Sequence, residues 1–319
     1  MLAALAALAC LLRGAAARAE ATVTTSDSFR YEAPSIEAPR LRNAEPRTLL
    51  YVDGTYARSG DLSALPTIAG RAQGFRLALG GRLKRGRFQW DAEFPVLQST
   101  TLALVDPNPV FMIDPRDKNQ TAFSLGDSRI GGQWTAPITV RQMGVVAGFG
   151  VSLRVPTHTT KFSFHLVNGA PGTYLLPYYF HLEPTLILGE TFGRVTLLVN
   201  QGALILMGPD GKIEGLPFTT PTIYFWEAHY ALSVRVTDSV ALSAEGNTTV
   251  QLNHIDPVMF PTLNRLRAGY LAPGIQVHLG RYRVDLVGRF GVTPGAGPVG
   301  VITYAGTNSV TLRLTRLMD

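Results

Sequence analysis

Four things are scarce in this 319-residue chain: thiols, charge, long apolar runs and clusters of basic residues. Cys10 is the only cysteine. It lies inside the apolar run 2–12, LAALAALACLL, which has the length of a signal-peptide core and is too short to span a bilayer. The run has no basic residue ahead of it and continues past Cys10. Ala7 stands where a lipoprotein signal wants a larger apolar side chain, so Cys10 reads as an ordinary leader residue. Ala17-Arg18-Ala19 forms an A-x-A-like cleavage site, so residues 1–19 are expected to be a signal peptide and the mature chain to carry no thiol. Disulfide, zinc-thiolate and cysteine-nucleophile chemistry fall away together.

Charged residues make up 16% of the chain, against roughly 25% in soluble domains. The net charge of +6 is spread without a Lys/Arg-rich run, which argues against nucleic acid as a partner. Beyond the leader no segment has the apolar continuity of a membrane helix. P-loop, dinucleotide-binding and G-x-S-x-G patterns are missing as well.

What is present is alternation. The stretch 75–96, FRLALGGRLKRGRFQWDAEFPV, alternates twice. Phe75, Leu77, Leu79 and Leu83 fall on one face with Arg76, Arg82 and Lys84 on the other. Phe88, Trp90, Ala92, Phe94 and Val96 then oppose Gln89, Asp91 and Glu93. A period of two places side chains on opposite faces of a strand, and the join at Arg85-Gly86 has room only for a tight hairpin. A soluble sandwich turns its apolar face to a core, whereas a transmembrane barrel turns it to lipid and its polar face to the lumen.

Connection lengths decide between them. Twelve strand-like segments are predicted, at 48–58, 74–84, 87–97, 123–135, 140–155, 176–188, 194–206, 223–236, 239–252, 268–280, 282–292 and 300–316. The joins at Arg85-Gly86, 136–139, 189–193, Thr237-Asp238 and Arg281 are short. They alternate with long ones at 59–73, 98–122, 156–175, 207–222, 253–267 and a shorter 293–299. Outer-membrane barrels combine short periplasmic turns, long outer loops and an even strand count; a sandwich has no reason to sort its loops this way. The expected fold is all-β: a transmembrane antiparallel β-barrel of about twelve strands over 48–319. Residues 20–47, with Pro34, Pro39 and Pro46, form a periplasmic linker or plug. In the loop 156–175, Phe162, Phe164 and Leu166 read as a β-extension above the membrane, ahead of a folded-in constriction.

With the greasier face of each segment set to lipid, the lumen receives Arg76, Arg82, Asp91, Glu93, Asp127, Arg129, Gln133, Arg154, His181, Glu183, Glu227, His229, Arg235, Glu245, Asn247, His278, Arg283, Asp285, Arg289 and Arg313. Strand four, GDSRIGGQW, is expected to hold a Gly bulge. Charges of both signs in a dry core cost several kcal/mol each unless paired, and are ordinary in a polar lumen. Tyr51, Tyr56, Trp134, Tyr178, Tyr179, Tyr224, Trp226, Tyr230, Tyr270 and Tyr282 lie near segment ends and suit interfacial girdles.

Chemistry is poorly served. His181 with Glu183, and Glu227 with His229, share a strand face at a spacing open to metal or acid–base work. Six scattered histidines make such pairs common by chance. His165-Leu166-Val167-Asn168-Gly169 is similar to the H-x-S-N-G of outer-membrane phospholipases, but Val167 replaces the nucleophile. No catalytic residue, metal or cofactor is expected.

Three stretches carry a family likeness. Leu125-Gly126-Asp127-Ser128-Arg129-Ile130-Gly131 resembles a G-L-G-D-L-x-L-G strand. Gly148-Phe149-Gly150-Val151-Ser152-Leu153-Arg154-Val155-Pro156-Thr157 resembles a strand ending in L-P-T-G, with His158 for the last glycine. The run 230–238, YALSVRVTD, followed by Glu245, is similar to a Y-x-L-T-D turn and the acidic strand after it. All are features of the outer-membrane barrel family of phenol-degradation meta-pathway transporters, itself distantly similar to long-chain fatty acid and aromatic-hydrocarbon channels. The resemblance implies uptake of small hydrophobic compounds and supplies no catalytic residue. One departure is the final segment, 310–319, which lacks the terminal aromatic read by the assembly machinery. The expected protein is thus an outer-membrane channel for a small solute, with membrane lipid and the assembly machinery as partners. A barrel with a closed lumen whose loops bind partners is the alternative.

Overall fold

A left-handed residue starts the wall. Gly86 sits at φ 62°, a conformation that costs glycine nothing and other residues a Cβ clash, and it folds the chain between two long strands. Gly193 and Gly280 close two further turns in the same conformation. The computed structural model describes residues 46–61, 69–105, 119–140, 143–157, 161–165, 171–175, 180–208, 211–213, 216–218, 222–253, 267–291 and 307–318. The leader, its cleavage site and most of the segment 20–47 lie outside them.

The described residues form strands and no helix: β1 (Leu49–Asp61), β2 (Ala69–Arg85), β3 (Phe88–Val105), β4 (Asn119–Ser124), β5 (Ser128–Val140), β6 (Met143–Val155), β7 (Lys161–His165), β8 (Pro171–Leu175), β9 (Phe180–Phe192), β10 (Val195–Met207), β11 (Gly211–Ile213), β12 (Leu216–Phe218), β13 (Ile223–Arg235), β14 (Val240–Gln251), β15 (Arg267–Leu279), β16 (Tyr282–Gly291) and β17 (Thr307–Leu317). Neighbours in one sheet run antiparallel from β2 through β1, β17, β16, β15, β14, β13, β10, β9, β6 and β5 to β3, and β3 pairs again with β2. The sheet therefore closes on itself. β4 and β5 share one place in it, both pairing with β3, so the barrel has twelve strands. β7 with β8, and β11 with β12, form hairpins of their own at the long-loop end.

Several boundaries differ from those expected. Residues 136–139 are not a turn. The ladder runs through Pro137↔Val146 to Val140↔Met143, because a proline near a strand end breaks pairing only where its missing N–H would have been used. Likewise β9 runs to Phe192 and turns at Gly193-Arg194. β3 and β4 extend far into what was expected to be the loop 98–122, pairing Gln98↔Ser124 up to Ala103↔Asn119. β7 lies against β4, with Phe162 opposite Tyr174 and Phe164 opposite Gly172, so this part of the loop 156–175 is β-structure beside an outer extension; Leu166 lies outside the described residues. Tyr178 and Tyr179, and the start expected for the last segment at 300–306, also lie outside them.

Gly131-Gly132 carries no bulge; its pairs with Ser152 and Val151 stay in register. Register shifts fall instead between Arg58 and Asp61 of β1 and on β3, where Leu77↔Leu97 is followed by Ala78↔Pro95 and leaves Val96 as the extra residue. Opposite it the wall is interrupted. β3 pairs with β5 up to Glu93↔Arg129 and with β4 from Gln98↔Ser124. The break 125–127 is held by the Thr157 hydroxyl, which accepts from Ser128 N at 3.1 Å and donates to Gly126 O.

The outer face is apolar. Leu83, Phe88, Trp90, Phe94, Leu286 and Leu312 are among many large hydrophobics left exposed, while Asp53, Glu93, Arg129, Glu183, Arg283 and Asp285 are buried. A soluble monomer seldom exposes more than a few hundred Å² of contiguous apolar surface. This inside-out distribution is that of a barrel solvated by lipid.

Candidate functional site: the barrel lumen

The lumen wall can be followed along one row of cross-strand partners. From His278 near the short-turn end of β15 it passes through Arg283, Thr315, Tyr51, Gly80, Glu93, Arg129, Arg154 and His181 to Leu206 and Ile223, at the long-loop end of β10 and β13. The row climbs the barrel because tilted strands are required for closure.

An ionic belt occupies β17, β1, β2, β3 and β5. Asp53, with no exposed surface, accepts from Arg313 Nη2 at 2.8 Å and has Arg76 Nη1 at 3.8 Å. Arg76 continues to Glu93, which also accepts from the Tyr51 hydroxyl at 2.7 Å. Arg129 Nη2 donates to Asp91 at 3.1 Å. The Arg313 guanidinium lies 4.2 Å from the centroid of the Tyr51 ring. At the short-turn end, the backbone N–H of Arg47 donates to lumen-facing Gln89 at 2.9 Å.

Tyr51 can lie there because its cross-strand partner is Gly80. A Cβ on Gly80 would fall 2.1 Å from Tyr51 Cζ. Gly80→Ala is expected to push the ring away, break the hydrogen bond to Glu93 and cost about 1–3 kcal/mol. Urea unfolding in lipid vesicles reads this, and Tyr51→Phe, which loses only the hydroxyl, should cost less.

A second polar group lies on β13 and β14. His229 Nε2 is 3.7 Å from Glu227 Oε2, Thr249 donates to Glu227 at 3.1 Å, and Asn247 Nδ2 stands 3.3 Å from the His229 ring nitrogens. Arg283 Nε donates to Asp285 at 3.0 Å on β16, and Arg289 stacks 5.4 Å from the Tyr270 centroid. Glu227 and His229, one of the two pairs singled out for acid–base work, are thus woven into side-chain hydrogen bonding.

Arg76, Arg82, Asp91, Glu93, Arg129, Arg154, His181, Glu183, Glu227, His229, Arg235, Glu245, Arg283, Asp285, Arg289 and Arg313 all fall on the alternation phase that faces inward. Asp127 does not belong to that set: it stands in the break between β4 and β5. Tyr51 and Tyr270 are not girdle residues. Both are buried and turned inward beneath arginines. Tyr56, Trp134, Tyr224, Tyr230 and Tyr282 are exposed on the outside as expected.

Two things escaped sequence reasoning. Asp53 was missed because Tyr51 on the same face was given to a girdle, although Tyr51, Asp53 and Thr55 alternate cleanly with Leu50 and Val52. The other is an apolar sector of the wall. The lumen face of β10 carries Thr196, Leu198, Asn200, Leu204 and Leu206 and no charge. Leu204 pairs with Phe225 and Leu206 with Ile223, and all four are buried. Lower down, Ile187, Leu198, Ala231, Tyr270, Ala272 and Val287 form one cluster.

A closed twelve-stranded wall, apolar outside and ionic inside, defines the class: an antiparallel barrel of the outer-membrane type. Solved structures agree. An outer membrane channel from Pseudomonas putida F1 superposes with a TM-score of 0.57 at 11% identity, covering 93% of this chain and 100% of that one. The translocator domain of the autotransporter NalP from Neisseria meningitidis gives 0.55 at 14%, covering 85% and 89%. The transport unit of the autotransporter AIDA-I from Escherichia coli gives 0.54 at 9%, covering 92% and 94%. No family model and no curated protein matches the chain. Identities this low carry the fold and nothing beyond it.

Proposed function

We propose that the protein is an outer-membrane channel giving a small solute a passive path through the lumen, with its short turns in the periplasm and its long loops outside. The observation that carries this is the direction of the ion pairs. Asp53–Arg313, Asp53–Arg76, Arg76–Glu93 and Asp91–Arg129 each join strands that neighbour one another in the wall, and Glu227–His229 and Arg283–Asp285 each lie on one strand. A barrel braced around its circumference can pass a solute without breaking those pairs. No side chain acts covalently in such a mechanism; the loops select, and the wall charges set polarity. Membrane lipid, the assembly machinery and the solute are the partners. The resemblance to phenol-degradation transporters supports small hydrophobic compounds as cargo.

A closed structural barrel whose outer loops bind partners is the second reading. It is favoured by burial: Asp53, Asn200 and Thr315 have no exposed surface although they face the lumen. Planar-bilayer recording separates the two. Discrete conductance steps from protein that shifts mobility on boiling in a detergent gel are expected. Folded protein that leaves the bilayer silent would favour the closed barrel.

A further inference from the structure

The short-turn rim of the barrel is charged unevenly. Round one half of it, from β15 to β3, come Arg281 in the β15–β16 turn, Arg316 on β17, and Lys84, Arg85 and Arg87 beside Gly86. All five are exposed. Backbone groups tie these segments into one arc. Leu317 N–H donates to Arg281 O at 2.8 Å, Met318 N–H to Thr48 O at 3.0 Å, and Lys84 N–H to the Thr48 hydroxyl at 3.2 Å. Among the described residues no exposed acid lies on this arc. Glu45 and Asp319 adjoin it in sequence, outside the described residues, and five cations outnumber them. The other half of the rim, from β14 to β5, mixes Arg194 and Arg235 with Glu190 and Asp238. The fold thus gathers from separate parts of the chain a basic surface that no run in the sequence announces.

Next to the arc the outer face turns apolar. Leu279, Tyr282, Leu314, Leu50, Leu83 and Phe88 are all exposed there. Arg316 pairs with Tyr282 and Leu50, and Arg85 pairs with Phe88. Arg85 and Arg316 share the outward alternation phase of Leu83 and Leu314. Long basic side chains so placed can lay their stems along an apolar wall while the charge reaches the membrane surface.

We infer that this half of the rim binds anionic phospholipid, its acyl chains against the apolar wall and its phosphate met by Arg85, Arg316 and their basic neighbours. The planar fork of arginine suits two phosphate oxygens at once, and each basic residue near a membrane surface favours anionic lipid. The lipid preference stands without the channel. Only the leaflet concerned, the periplasmic one, rests on the orientation proposed above.

Tryptophan quenching by bromine-labelled lipid tests this on the folded full chain in phosphatidylcholine vesicles. Trp90 pairs with Leu83 and Trp134 with Phe88, so both lie beside the arc, and Trp226→Phe leaves these two as the only reporters. Labelled phosphatidylglycerol, as a minor component, is compared with labelled phosphatidylcholine at the same fraction. The anionic lipid is expected to be favoured at these reporters by at least about fivefold. Molar salt, which shortens screening to about 3 Å, should bring the ratio close to one. Arg85→Gln with Arg316→Gln should do the same, and Arg194→Gln on the other half of the rim should leave the ratio unchanged.

A wild-type ratio near one would overturn the inference and leave the arc to a soluble acidic partner. A ratio that survives both salt and the double substitution, or that falls as far with Arg194→Gln, would show that the preference does not arise at the arc. Loss of the ratio in inorganic phosphate, but not in sodium chloride of equal ionic strength, would replace the lipid by the free anion. The salt comparison on the Trp226→Phe chain decides even where the double variant does not fold. Conductance with a ratio near one sinks this inference alone, whereas a high ratio in a silent barrel sinks the channel and keeps the lipid surface.

Discussion

Arg313→Met is expected to destabilise the barrel by about 3–5 kcal/mol, because it leaves the Asp53 carboxylate buried without its closest partner. Asp53 has no exposed surface, and Arg313 meets it at 2.8 Å. Arg76, at 3.8 Å, is the more exposed of the two arginines and is already committed to Glu93. The same substitution removes the cation from the face of Tyr51, a contact worth roughly 0.5–2 kcal/mol. The double variant Asp53→Asn with Arg313→Met should recover much of the loss, since no uncompensated charge then remains. Urea unfolding in vesicles measures both, reported by Trp90, Trp134 and Trp226 on the outward alternation phase. A single variant as stable as the parent would mean that the belt does not hold the wall together.

Leu312→Arg is expected to cost about 2–4 kcal/mol in a bilayer, while Leu312→Phe should be nearly neutral. Leu312 lies midway along β17, pairs with Leu286 and Gly54, and is 55% exposed. In water such a position accepts arginine at little cost, so the sign of the effect reports the solvent of the outer face. Folding yield into vesicles and urea unfolding of the folded fraction both read it. A neutral or stabilising arginine would return the chain to the soluble β-proteins.

How much of this was legible in the sequence depended on contrast between strand faces. Where one face is charged and the other apolar, as in Arg82–Asp91 against Leu83–Trp90, alternation alone sets register and direction. On β10 it fails, since Leu197, Val199 and Ile205 on one face meet Leu198, Leu204 and Leu206 on the other. Choosing the greasier face cannot show that a lumen has an apolar sector. Tyr51 failed for a related reason: an aromatic near a strand end fits a girdle as well as a lumen, and only its partner Gly80, 29 residues later in the chain, decides the matter. The join expected at 136–139 is instead strand, because a strand end tolerates Pro137. The break at 125–127 carries no sequence signature of its own, since it depends on Pro95 and the extra Val96 of the neighbouring strand.

The meeting of β1 with β17 couples the two ends of the barrel in time as well as in space. Asp53 and Arg313 are 260 residues apart, so the acid meets this partner only when the first strand closes on the last. Contacts of such sequence separation form late and slowly. Until then β1 presents an open edge whose lumen-facing carboxylate lacks Arg313. The last strand thus closes the edge of β1 and brings Arg313 to Asp53 in one step.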